Sequence, residues 1–108
     1  MTESTARELY AAIMASGLEE LRNDLLRYAI SYARIRCDWR LADSEHRVEM
    51  DRHRSLTHDT LIDACNILSR NQAKMGGDNS WRARLGTDRR EIGDLACWIH
   101  AFLGIEAR

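Results

Sequence analysis

Proline is absent from the 108 residues and glycine occurs only six times. Little therefore interrupts a helix, and an all-β domain, which needs turn residues at roughly every 8–12 positions, is excluded. Lysine is nearly absent too: of sixteen basic residues only Lys74 is not arginine. Arginine forms planar, bidentate pairs with carboxylates and is favoured at interfaces, although codon bias in a GC-rich genome is the plainer reading of the same excess. Cysteine is limited to Cys37, Cys65 and Cys97, an odd number without CxxC spacing, which reads as reduced structural thiols rather than a zinc or redox site. No run approaches the roughly 18 apolar residues of a membrane span, and Met1-Thr2-Glu3-Ser4 lacks the basic start of a secretory signal. A cytoplasmic protein is expected, with no membrane partner. The net charge of -1 provides no global positive field, so nucleic acid is not expected as a partner either.

What is present fits a single folded domain spanning residues 1–108. The hydrophobic fraction of 44% beside 31% charged residues is ordinary for a globular chain, and the length allows one core. Thr5 and Glu8 have capping-box spacing ahead of Leu9, Ala12 and Ile13, which predicts a short first helix ended by Gly17. From Leu18 onward, Leu21, Leu25, Tyr28, Tyr32, Ile35 and Trp39 recur at spacings of three and four, the seam of a long second helix. Leu26, Ala29, Ala33 and Cys37 form a second stripe beside it, so this helix should meet neighbours on two sides.

Asp43 or Ser44 can cap a third helix that reaches Met75. Its second half is amphipathic through Leu61, Cys65, Leu68 and Met75, whereas Glu45 to Arg54 is mostly charge and should project from the bundle or meet a polar partner, with a bend near Leu56. Gly76 to Gly86 reads as the longest loop and contains Trp81. Asp88 and Glu91 open a fourth helix that should end at a Gly104 C-cap. Between Ile92 and Ile105 only Asp94 and His100 are strongly polar, so this helix has no evident solvent face and asks for cover from a second chain. The fold expected is all-α, a four-helix bundle-like domain with two long and two short helices, completed by dimerisation.

Several constellations could carry chemistry. His46, Glu49 and His53 fall at i, i+3 and i+7, a spacing that permits a transition metal, although Arg47, Arg52 and Arg54 beside them favour a solvated charged face. Asp59, Asp63 and Asn66 share a line with His58 nearby, which ordinary surface placement explains as well as a divalent cation does. Asp94 and His100 in an apolar helix must find partners or change protonation state, and a structural tie to an arginine is the commoner outcome for such an aspartate. Trp81 beside Arg82 and Arg84 supplies an aromatic and two guanidiniums in a loop, either an interface anchor or an indole folded back on the core. No GxSxG elbow, Walker loop, HExxH or dinucleotide glycine pattern occurs, and no cofactor is implied.

Two runs carry a family likeness. His58-Asp59, Ile62-Asp63 and Asn66-Ile67-Leu68 with Arg70, then Trp81-Arg82, Leu85-Gly86, Asp88-Arg89, Ile92-Gly93-Asp94 and Ala96-Cys97, resemble a family of short bacterial proteins known only as a domain of unknown function. That resemblance implies a small helical bacterial protein and assigns no catalytic residue. Glu91-Ile92-Gly93-Asp94 also resembles the second acidic, magnesium-binding motif of all-α nucleotide pyrophosphohydrolases. Their first ExxE pair lies on the preceding helix, while here Glu19-Glu20 with Asn23 and Asp24 sits much earlier.

The leading expectation is a non-enzymatic interaction or regulatory protein, self-associating or bound to another protein, with Trp81, Arg82, Arg84, Trp98 and Phe102 as contact residues. One alternative is a metal-dependent pyrophosphohydrolase-like enzyme in which Asp59, Asp63, Glu91 and Asp94 converge on magnesium or manganese. The other is a small inhibitor that acts on a protein through the Trp81 loop.

Overall fold

The computed structural model describes residues 1–107, and among them the chain forms five helices and no strand. They are α1 (Glu3–Met14), α2 (Glu19–Leu41), α3 (Ser44–Lys74), α4 (Ser80–Leu85) and α5 (Arg89–Glu106). None is long and apolar enough to cross a membrane. At about 1.5 Å per residue the 31 residues of α3 extend about 46 Å, so this one helix sets the 48 Å long axis of the molecule.

α2 packs against α3 on one side and α5 on the other. Both of its apolar stripes are used: Leu25 and Tyr32 of the seam are buried, and so are Leu26, Ala29 and Ala33 of the second stripe. Cys37, at the end of that stripe, is exposed. α1 and α4 close the end of the bundle, where Leu9, Ile13, Leu85, Ile92 and Ile99 are fully buried. Asp43 caps α3 by accepting from the backbone N–H of His46 at 2.9 Å, and Asp88 caps α5 by accepting from Arg90 at 2.9 Å. The Arg47 guanidinium donates to the carbonyls of Trp39 and Arg40 at 2.9 Å each, which satisfies orphan acceptors at the end of α2 and fixes the α2–α3 turn.

Four expectations require correction. The expected loop between α3 and α5 contains a further helix, α4, because Trp81 and Leu85, one turn apart, both find cover in the core. Asp78 accepts from the Ser80 N–H at 2.9 Å and starts it. The first helix is capped by Thr2, whose hydroxyl accepts from the Thr5 N–H at 3.2 Å, and Thr5 lies inside the helix. Gly104 is not a C-cap, since α5 continues to Glu106. Finally, α3 is unbroken through Leu56.

The last helix is also one-sided. Ile92, Gly93, Leu95, Ala96, Ile99 and Phe102 are buried, while Glu91, His100, Ala101, Gly104 and Ile105 are exposed. Much of its apolar composition is glycine and alanine, which contribute little surface to hide. Within one chain, one side of this helix is thus left uncovered. Along α3, by contrast, no residue before His58 is buried, in keeping with the charge of that half.

Candidate functional site

The residues singled out in the sequence are dispersed by the fold. Trp81 is 2% exposed, and its indole N–H donates to Oε1 of buried Gln72 at 2.6 Å, so it is a core residue rather than a displayed anchor. Arg82 donates to Asn66 Oδ1 and to the Gly86 carbonyl, both at 2.7 Å, tying α3 to the turn that follows α4. Arg84 reaches Glu8 at 2.6 Å and links α4 to α1. Phe102 is buried beneath Arg7 and between Tyr10 and Trp98, with ring centroids 5.3 and 5.7 Å away. Trp98 is half-buried and keeps an open edge.

The proposed metal carboxylates do not converge either. Asp59 is exposed beside His58, with Nδ1 and Oδ1 3.1 Å apart. Asp63 lines a shallow depression between α2 and α3 with Asp24 and Tyr28. Glu91 sits exposed in the first turn of α5, and Asp94 faces α2. Among the described residues no three His, Cys, Asp or Glu side chains are grouped to hold an ion, and His46 is engaged by Asp43 at 2.7 Å instead. His100 is exposed, which removes the reason to expect a partner for it.

Asp94 has found the structural tie. Its Oδ1 accepts from Arg36 at 2.9 Å and its Oδ2 lies 3.2 Å from the Met1 amine. Burial opposes the ionised carboxylate, but those two donors outweigh it and hold the pKa below the usual aspartate value. The Arg36 guanidinium lies flat against α5 because residue 93 is glycine, where an added Cβ would be 2.8 Å from Arg36 Cζ. Its other nitrogen is 3.6 Å from Cys97 Sγ.

Beyond Arg36 the same seam opens into a groove of about 380 Å³, within the about 300–1,000 Å³ of small-molecule sites. Three helices furnish it. α2 contributes Arg36 and Arg40 with the aromatic residues Tyr32 and Trp39, α3 contributes Arg54, and α5 begins there with Asp88, Arg89 and Arg90. Five arginines and one aspartate thus line it, and that aspartate is occupied in capping α5.

The back of the groove is formed by Trp39 and its partners. Trp39 donates its indole N–H to Asp51 at 2.9 Å, and Arg54 and Arg47 lie over its ring at 3.9 and 4.4 Å from the centroid. Arg54 is also 3.5 Å from Asp51, and its Nε is buried without a hydrogen-bond partner. Burial raises the pKa of Tyr32, while the charges of Arg89, Arg36 and Arg54 oppose that rise. Among the described residues Arg40 and Arg90 have no side-chain partner, and Arg89 has only a 3.4 Å contact with Ser55 Oγ. Such an arrangement can receive negative charge but contains no free acid or base pair for chemistry.

The groove escaped the sequence analysis because its arginines lie on three separate segments. Arg36 with Arg40 at i, i+4, and the pair Arg89-Arg90, were the only local signals. Comparisons with protein-family models, curated proteins and solved structures find no match for this chain.

Proposed function

We propose that this protein is a non-enzymatic helical binding protein whose arginine-lined groove receives an anionic group of its ligand. One observation carries the reading: five guanidiniums from three helices gather at one depression, and three of them have no carboxylate partner among the described residues. Like charges held together repel, so the cluster is stabilised by a counter-charge.

Arg40, Arg89 and Arg90 are exposed, so alanine at each should leave folding intact. Anion binding, followed by calorimetry at low salt, should weaken about tenfold for each loss of a charge-assisted contact and fall with ionic strength. Absence of any heat or thermal stabilisation with phosphate, polyphosphate or an acidic peptide would refute the reading.

Self-association is a second reading, favoured by apolar surface on the open side of α5, where Ile105 is 58% exposed and Trp98 and Leu103 are half-buried. A second copy of the chain would cover it. Light scattering at micromolar concentration checks this: a dimer that Ile105→Glu dissociates is expected, and a strict monomer ends the case.

A further inference from the structure

We infer that the ligand of this groove carries two or more adjacent phosphates and is recognised through them alone, without a nucleobase or peptide being read. The inference rests on the binding role proposed above and narrows it to one chemistry. Three features of the groove lead to it.

The first is charge density. Arg36 is already matched by Asp94 and Arg54 faces Asp51, which leaves Arg40 on the α2 wall and Arg89 and Arg90 on the α5 wall. A ligand that satisfies both walls needs several negative charges within one small volume. A chain of phosphates supplies them, and each offers the paired oxygens that a guanidinium fork accepts.

The second is shape. The free guanidiniums surround a bowl built from three helices rather than lining a strip along one of them. An acidic peptide presents its carboxylates on an extended chain, with neighbours pointing to opposite sides, and so engages a stripe better than a bowl. A single tetrahedral anion fills only a fraction of about 380 Å³.

The third is that the aromatic rings of the groove already have partners. Base recognition commonly stacks the base on a side-chain ring. Both candidate rings are engaged: Trp39 lies under Arg47 and Arg54 with its N–H held by Asp51, and Tyr32 is 2% exposed with its ring against His58. A nucleoside diphosphate would therefore bind by its phosphates with the base outside.

Calorimetry on the intact chain separates these claims, with orthophosphate, pyrophosphate, tripolyphosphate, adenosine and guanosine diphosphates and a hexaglutamate peptide as probes. Pyrophosphate and tripolyphosphate should bind at least about tenfold more tightly than orthophosphate or the peptide, by virtue of added charge-assisted contacts. The two nucleotides should match each other. Arg89→Lys keeps the charge but loses the fork, and should weaken pyrophosphate binding well beyond its effect on the peptide. Equal affinity for hexaglutamate, or a clear preference for one base, overturns this inference while leaving an anion groove in place. No binding by any probe overturns the groove itself.

Discussion

Trp81 joins α4 to α3 through a buried hydrogen bond, and its two parts can be tested separately. Removing the ring in Trp81→Ala should cost about 3–5 kcal/mol in urea denaturation, the range for large core truncations. Trp81→Phe keeps most of the volume but strands the buried Gln72 amide oxygen, which should cost about 1–3 kcal/mol. Stability unchanged in Trp81→Ala would return the indole to the surface. A second residue-scale test concerns Gly93. Alanine is the better helix former by about 1 kcal/mol, yet its Cβ would collide with the Arg36 guanidinium at 2.8 Å and push it off Asp94. Gly93→Ala should therefore gain less stability than helix propensity alone provides, whereas in an Arg36→Ala background it should stabilise by about 1 kcal/mol. Additive effects in that double-mutant cycle would mean that the arginine does not depend on the missing side chain.

Elements were legible in proportion to the apolar area that their periodicity commits. α2 was readable because both stripes repeat over many turns, and the middle of each is buried between α3 and α5. The caps at Asp43 and Asp88 were readable because a carboxylate before a helix acts on its own first turn. α4 was not, since six residues hold too little periodicity and glycine, aspartate and asparagine precede it; only tertiary cover for Trp81 and Leu85 makes it a helix. For α5, counting apolar residues did not reveal which side faces solvent, because His100, Ala101 and Gly104 stand there among apolar neighbours. The candidate site was the least legible feature. Arg40 and Arg89 are neighbours only because α5 begins beside the end of α2, and no local pattern encodes that docking.

At the scale of the molecule, a net charge of -1 conceals a local excess of arginine at the groove. Glu19 and Glu20 begin α2, and Arg40 ends it about 30 Å away at 1.5 Å per residue, several times the about 8 Å screening length of physiological salt. The groove therefore experiences its own field, and the overall charge does not forecast it.

The same whole-molecule view predicts how stability responds to alkali. Tyr10 donates its hydroxyl to Glu106 at 2.7 Å, and burial first, then that carboxylate, push its pKa from 10.0 to about 12. Burial raises the Tyr32 hydroxyl as well, and drives the Cys65 thiol from 9.0 to about 12. All three groups hold their protons longer in the folded chain than in the unfolded one. Their contribution is complete below the unfolded values and declines as pH rises toward the folded ones, because the unfolded state then releases protons that the native state retains. Thermal melts should thus fall progressively between about pH 9 and pH 12 while the arginines stay charged. Tyr10→Phe keeps the ring against Phe102 and should lower the Tm at pH 8 yet flatten its decline above pH 10. A decline of the same steepness in wild type and Tyr10→Phe would show that this hydroxyl does not couple folding to alkali.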